Sequence, residues 1–227
     1  MSRPGDRIRD AFAAAARAGH AALVPYLTFG DPDPATSIEL VAACAAAGAS
    51  VIELGVPFSD PSADGPSIQR AMERALVAGG SLAGALAAVA ALRARGVQTP
   101  IVLFGYYNPV FVMGPDAFAQ RAAAAGVDAV LTVDLPIDEL DELAGPLAAH
   151  GLGVIPLCAP TSTPARIDRI RALAPAFVYY ISLTGVTGAT FDASRLTAGR
   201  VDEIRAATGA PVVVGFGIKT AADVRAV

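Results

Sequence analysis

Short apolar runs alternate with longer alanine-rich segments along almost the whole chain. The alanine-rich segments have the composition of helices, and several end at a glycine, the residue that best adopts the left-handed conformation after a helix. A short β-branched run follows each glycine, as in residues 42–48 before 50–54 and residues 122–126 before 128–132, and the same junction recurs at Gly96, Gly151 and Gly209. The repeated order of helix, glycine and strand predicts a parallel sheet whose strands are joined by helical crossovers.

The pattern predicts seven strands and therefore seven βα units. The strands are expected at residues 23–28, 50–54, 101–104, 128–132, 154–157, 177–182 and 212–214. Seven units predict one (β/α)8 barrel domain over residues 1–227, with the eighth unit expected in about 40 further residues of the natural protein. The alternative fold is an open doubly wound sheet, but no G-x-G-x-x-G motif opens a helix after the first strand, as its nucleotide-binding form requires.

Composition favours a compact chain that acts on a small molecule or binds a protein. The 227 residues are 54% hydrophobic and 17% charged, with a net charge of −4, and no basic face for nucleic acid or polybasic membrane anchor is found. Two uncharged stretches, 75–92 and 98–115, are interrupted by glycine or proline, so they are interpreted as buried sheet and helix rather than membrane spans. Cys44 and Cys158 lack C-x-x-C spacing and are expected to be small buried hydrophobic residues. With no signal-peptide core at the N-terminus, we expect a cytoplasmic protein.

Polar side chains at the carboxyl ends of the strands are the candidates for chemistry, because barrel enzymes build their active sites there. The strongest candidate is Glu53, a single carboxylate inside the apolar run 51–57. Burial of an unpaired carboxylate raises its pKa, which suits general acid and base catalysis near neutral pH. The alternative is a structural glutamate paired with an arginine. The following loop carries Asp60 and Asp64, and for either one alone a bond to its own loop backbone is the better explanation.

Glycines after the last two predicted strands indicate a phosphate site. Residues 185–188 begin and end with glycine, and Gly215 and Gly217 follow the seventh strand. Backbone N–H groups in these loops bind the phosphate of the substrate in many barrels, although ordinary tight turns are the alternative. Residues 104–108 are expected to place aromatic rings at the barrel mouth, where they either flank a flat apolar substrate or pack in the core.

Other kinds of catalysis find little support in the sequence. His20 and His150 are the only histidines, and neither lies in a ligand-spaced cluster with cysteine or carboxylate, so no metal site is expected. A nucleophilic serine would require a G-x-S-x-G elbow, which the chain lacks. A Schiff-base aldolase would need Lys219, the only lysine, which lies past the seventh predicted strand.

Residues 54–66, which read LGVPFSDPSADGP, closely resemble the signature of the tryptophan synthase alpha chain family. The resemblance continues at residues 25–32, 106–108, 128–136, 185–188 and 215–218. It implies a cofactor-free lyase that cleaves indole-3-glycerol phosphate into indole and glyceraldehyde 3-phosphate in tryptophan biosynthesis. It also implies an alpha–beta heterotetramer, in which a beta chain receives the indole and condenses it with serine on its own pyridoxal phosphate.

The same resemblance implies roles for individual residues. Glu53 is implied as the catalytic acid and base, and Asp64 as the acceptor of a hydrogen bond from the indole N–H that stabilises positive charge on the ring. The side chains around indole are implied to be Tyr26, Phe104, Tyr106, Leu131, Leu157 and Tyr179. The phosphate loops are implied to use Gly188, Gly215 and Gly217.

Closure of the site and contact with the partner are also implied by the resemblance. Thr187 matches a threonine that closes over the substrate, and Pro57 and Asp60 lie where the family contacts its beta chain. Two positions depart from the family pattern, because Tyr26 stands where phenylalanine is common and Leu183 where arginine is often found. A chain that cannot complete its phosphate site would instead be a non-catalytic activator of a beta chain, which remains the alternative function.

Overall fold

A computed structural model describes residues 5–181 and 198–215, and within those ranges helices and strands alternate. The strands are β1 Tyr26–Thr28, β2 Ile52–Gly55, β3 Ile101–Gly105, β4 Ala129–Thr132, β5 Gly153–Val154, β6 Leu157–Cys158, β7 Val178–Ile181 and β8 Val212–Gly215. The helices are α1 Asp6–Arg17, α2 Pro34–Ala46, α3 Pro66–Val77, α4 Leu82–Ala94, α5 Tyr107–Met113, α6 Pro115–Ala125, α7 Asp141–Ala149, α8 Pro164–Ala172 and α9 Ala198–Thr208.

Every pair of neighbouring strands in the described residues is parallel, which confirms the predicted type of sheet. The strands follow chain order, first β1 to β5 in one sheet and then β6 to β8 in another. The glycines predicted to end helices, at positions 48, 96, 126, 151 and 209, all have φ between 69° and 95°. These positive φ values are the ones that glycine adopts without steric cost.

The single strand predicted at residues 154–157 is wrong, because two short strands with a break at Pro156 replace it. Proline has no backbone N–H and cannot donate to a neighbouring strand. The sheet nevertheless continues through the break: the Ile155 N–H donates to the Val130 carbonyl at 2.8 Å, and the Tyr179 N–H donates to the Pro156 carbonyl at 3.0 Å. The two sheets therefore meet at this proline.

Alternate residues of the strands divide between an inner apolar cluster and outer clusters that pack against the helices. An inner cluster contains Val51, Val102, Phe104, Ala129, Leu131, Ile155, Phe177 and Tyr179, together with Ile8 of α1. An outer cluster packs Ile52, Leu54, Ile101, Leu103 and Val130 against buried residues of α4 and α6. Because side chains alternate along a strand, Glu53 lies on the opposite face of β2 from Ile52 and Leu54, which is the inner face.

Within the described residues, no single helix is long and apolar enough to cross a membrane. Helices α3 and α4 pass that test only as a pair, and they are bent by 88° at the break between them.

The expectation of two buried cysteines is half right, since Cys158 is buried but Cys44 is only partly so.

A buried ion cluster closes the amino ends of the strands. Asp128, at the start of β4, accepts hydrogen bonds at 2.8 Å from the Ile101 backbone N–H and from Nη2 of Arg93, and its other oxygen lies 2.7 Å from Nε of Arg7. Arg93 also donates to the carbonyls of Val97, Thr99 and Gly126. One carboxylate thus joins α1, α4, β3 and β4.

Replacing Asp128 with alanine should strongly destabilise the fold, because it leaves the Arg93 guanidinium half-buried without its counter-ion and the Ile101 N–H without its acceptor. Breaking a buried pair in this way costs about 3–5 kcal/mol, which urea denaturation measures as a lower free energy of unfolding. The matched control is Glu39→Ala, which removes the exposed partner of Arg95 and should change stability little. Equal losses in the two variants would contradict the structural role of Asp128.

Candidate active site

Glu53 lies in the middle of β2, between Tyr26 of β1 and Val102 of β3 in the register of the sheet. Its side chain points into the inner cluster and is only 3% exposed. Oε1 has no hydrogen-bond partner among the described residues, and burial alone raises the pKa of the carboxyl group to about 8. No arginine of the described ranges lowers that pKa, so the structure does not support the alternative of a structural ion pair.

Asp64 lies in the loop between β2 and α3 and is also 3% exposed. Its Oδ2 accepts a hydrogen bond of 2.7 Å from the Tyr106 hydroxyl, and that hydroxyl accepts one of 2.9 Å from the Ala63 N–H. Burial raises the pKa of Asp64, and the bond from Tyr106 partly opposes the rise. The expectation that Asp64 alone would bond its own loop backbone is wrong, because its partner comes from the end of β3.

Two residues that the sequence analysis did not single out help to hold this loop. Phe58 stacks on the ring of Tyr106, with 5.0 Å between ring centroids. Gln69, in the first turns of α3, donates from Nε2 to the Asp64 carbonyl at 2.8 Å. Both contacts join residues that are distant along the chain or in different elements, and no local sequence signal distinguishes them. Asp60, by contrast, is exposed and accepts a bond of 2.5 Å from its neighbour Ser59.

Five of the six residues implied to surround indole come together on the inner face. Phe104 contacts Tyr26 edge-on, with ring centroids 5.3 Å apart, and contacts Tyr179 in the same manner at 5.9 Å. Leu131 and Leu157 pack in the same inner cluster. Burial, with added effects of Glu53 and Asp64, raises the pKa of both tyrosine hydroxyls far above the ordinary value, so both stay neutral.

Tyr26 and Tyr179 leave no room for a side chain at the glycines that end β2 and β8. A Cβ atom placed on Gly55 would overlap the Tyr26 hydroxyl, and one placed on Gly215 would overlap the Tyr179 hydroxyl. The requirement at Gly215 therefore has a steric explanation besides the predicted phosphate contact. The requirement at Gly55 could not be predicted, because nothing in the sequence shows which ring lies against it.

A cavity of about 1070 Å³ reaches Glu53 between β1 and β8. Tyr26, Tyr179 and Gly215 also line it, but most of its lining comes from α1, α9 and the segments before β1 and β8. Asp64 and Tyr106 are not among the residues that line this cavity.

Several predicted site residues lie outside the described residues. They are Thr187, Gly188 and Gly217, together with the departure at Leu183 and the aldolase candidate Lys219. In the part of the chain that the structure describes, no group of three or more His, Cys, Asp and Glu side chains could hold a metal ion. His20 and His150 are both exposed.

Comparisons with known proteins agree on one family. A family model described as tryptophan synthase alpha chain matches residues 12–227. The tryptophan synthase alpha chain of Nitrosococcus oceani is 52% identical over 216 residues, which cover 95% of this chain and 79% of that protein. The one from Burkholderia mallei is 52% identical over 222 residues, covering 97% and 82%.

Solved structures give the same result. The tryptophan synthase alpha subunit of Legionella pneumophila superposes with a TM-score of 0.86 and 40% identity, over 94% of this chain and 79% of that chain. A tryptophan synthase complex from Pyrococcus furiosus contains a chain with a TM-score of 0.76 and 37% identity, over 90% of this chain and 82% of that chain. These alpha subunits are (β/α)8 barrels, which confirms the predicted fold class.

The raised pKa of Glu53 makes the stability of the protein depend on pH. In the unfolded chain the carboxyl group ionises near 4.5, but in the folded chain it ionises near 8, so the folded state binds more protons between those values and stability falls as pH rises. Glu53→Gln cannot ionise and should escape this loss. Urea denaturation at pH 5 and at pH 8 should therefore show the variant gaining stability relative to the parent protein at the higher pH. Parallel pH profiles for the two proteins would mean that Glu53 titrates normally.

Proposed function

Because the chain belongs to the tryptophan synthase alpha chain family, we propose that Glu53 and Asp64 are the residues with which it cleaves indole-3-glycerol phosphate. The products are indole and glyceraldehyde 3-phosphate, so the chain is a carbon–carbon lyase of tryptophan biosynthesis. The observation that supports the assignment is the buried carboxyl group of Glu53, whose Oε1 has no hydrogen-bond partner among the described residues and whose pKa is raised to about 8.

Glu53 serves as both acid and base in this proposal. Its protonated form donates a proton to C3 of the indole ring, and the ring becomes a cation that can accept an electron pair. The carboxylate then removes the proton of the hydroxyl on the adjacent glycerol carbon. The electrons of the C–C bond flow into the ring, which releases indole and leaves the aldehyde. A pKa near the working pH keeps both forms of the group accessible, which is the condition for efficient acid–base catalysis.

Asp64 has the complementary task of staying ionised while the ring is positive. The Tyr106 hydroxyl donates to Oδ2, and such a bond favours the carboxylate over the acid. The other oxygen, Oδ1, is then the acceptor for the indole N–H. A fixed negative charge at that nitrogen lowers the energy of the cation in the transition state more than that of the neutral substrate.

The remaining predicted residues bind the substrate. The rings of Tyr26, Phe104 and Tyr179, with Leu131 and Leu157, give the apolar wall that a flat indole needs. Gly215, with Gly188 and Gly217, binds the phosphate, and Thr187 closes over the substrate. No cofactor takes part, because every step is a proton transfer or an electron shift within the substrate.

The proposed partner is a beta chain, which takes up the indole and carries pyridoxal phosphate. The loop with Pro57 and Asp60 is the proposed contact, and the exposure of Asp60 is consistent with it. The solved complex from Pyrococcus furiosus supports such an assembly. Release of indole by the isolated chain distinguishes this enzyme from a non-catalytic activator of a beta chain.

Glu53→Gln should lower the turnover number by about 10²-fold to 10⁴-fold, because the amide keeps the shape of the side chain but cannot donate and remove a proton. Indole release from indole-3-glycerol phosphate, with and without a beta chain, measures the effect. Glu73→Gln changes an exposed glutamate of α3 in the same way and should have no effect. A Glu53→Gln variant with near-normal turnover would show that another group moves the proton.

Asp64→Asn should lower the turnover number by about 10²-fold while the KM changes little. The amide can still accept a hydrogen bond from indole but carries no charge to balance the cationic ring. Steady-state kinetics of indole release separate the two parameters, and Asp116→Asn, at an exposed position of α6, is the control. If only the KM rises, Asp64 binds the substrate without stabilising the transition state.

A further inference from the structure

Helix α5 begins immediately after Tyr106 and is capped by a residue of another loop. Tyr106 itself is in an extended conformation and makes no side-chain cap. The first N–H of the helix, that of Tyr107, donates instead to Oδ1 of Asp134 at 2.8 Å. Asp134 lies just beyond β4, 27 residues later in the chain, so the β4 loop supplies the cap that α5 lacks.

The backbone on both sides of Tyr106 is held by two consecutive residues at the end of β4. The Val133 N–H donates to the Gly105 carbonyl at 2.9 Å, on one side of Tyr106. Asp134 accepts the Tyr107 N–H on the other side. The position and direction of the Tyr106 side chain are therefore set by this pair of contacts.

The Tyr106 hydroxyl in turn binds Asp64 and the backbone of the residue before it. It donates to Oδ2 of Asp64 at 2.7 Å and accepts the Ala63 N–H at 2.9 Å, and the Tyr106 ring is stacked by Phe58. A continuous set of contacts thus runs from Asp134 through the Tyr106 backbone and phenol to Asp64. Asp134 itself is exposed and does not line the cavity beside Glu53.

We propose that Asp134 is a positioning residue, which fixes Tyr106 through the first N–H of α5 and thereby places the Asp64 carboxylate for the indole N–H. The inference rests on the proposed role of Asp64 in the reaction. Displacement of a catalytic group by about 1 Å can lower the rate by about 10²-fold, so a cap far from the substrate can control turnover. The proposal assigns this task to the acceptor oxygen of Asp134 that binds the Tyr107 N–H.

Two substitutions at Asp134 test the role of the acceptor. Asp134→Ala removes it and should lower the turnover number about tenfold or more, with a smaller change in KM. Asp134→Asn keeps a carbonyl oxygen, and asparagine caps helices about as well as aspartate, so it should restore turnover to within about twofold of the parent protein. Asp138→Ala is the control, because Asp138 lies in the same segment but forms exposed ion pairs with Arg166 and Arg169.

A double-mutant cycle tests whether the effect passes through Tyr106. Tyr106→Phe removes the bond to Asp64, so Asp134→Ala added to it should cause little further loss of turnover. Thermal unfolding confirms that each variant is folded, and Asp134→Leu, which has a similar size and no acceptor, replaces the alanine variant if that one does not fold.

The proposal is overturned if Asp134→Ala keeps normal turnover, if Asp134→Asn is as slow as the alanine variant, or if the losses in the double mutant multiply. If the proposed role of Asp64 is wrong, Asp64→Asn itself leaves turnover unchanged. If Asp64→Asn is slow but the losses in the double mutant multiply, only the role of Asp134 is refuted.

Discussion

The burial of an unpaired carboxyl group on the inner wall of the sheet is the constraint on which the site depends. A carboxylate in apolar surroundings is unstable, so the group keeps its proton to about pH 8. Its place is set by the strand, because Ile52 and Leu54 pack outward against the helices and turn Glu53 inward. The burial of the apolar residues of β2 thus offsets the unfavourable burial of Glu53, which opposes folding at neutral pH.

The buried carboxyl group at the amino ends of the strands and those of the candidate site differ in how completely they are paired. At the amino ends, Asp128 has both oxygens bonded, to two arginines and a backbone N–H, and it serves stability. In the middle of β2, Glu53 has an oxygen without a partner among the described residues, and in the loop after β2 the partner of Asp64 is a neutral phenol. Burial raises the pKa of Asp128, but the Ile101 N–H and the two arginines oppose the rise, whereas no group of the described residues opposes it at Glu53. This separation follows the general division of barrels into a stability face and an active face.

The features predicted correctly from the sequence are those that depend on residues adjacent in the chain. The helix-ending glycines were found because each is next to the apolar run that follows it, and Glu53 was found because a single charge interrupts such a run. The break at Pro156 was missed because a proline inside a short apolar run does not by itself show that the run is divided between two strands. The overlap of Tyr26 with Gly55 and the cap of α5 by Asp134 join separate elements, so only the folded chain shows them. Asp64 was judged a plain loop residue for the same reason, until the family signature gave it a role.

The different surroundings of Glu53 and Asp64 suit the two carboxyl groups to the different roles proposed for them. Among the described residues, burial is the one influence on the pKa of Glu53, and it favours the acid. Asp64 experiences burial too, but the Tyr106 hydroxyl opposes it, and a hydrogen bond donated to an oxygen stabilises the charged form. Glu53 therefore begins with a proton to give, while Asp64 is the better placed of the two to remain negative beside a cationic ring. Since the Tyr106 hydroxyl contributes to this difference, the residues that fix that phenol matter, in the proposed reaction, for which carboxyl group acts as the acid.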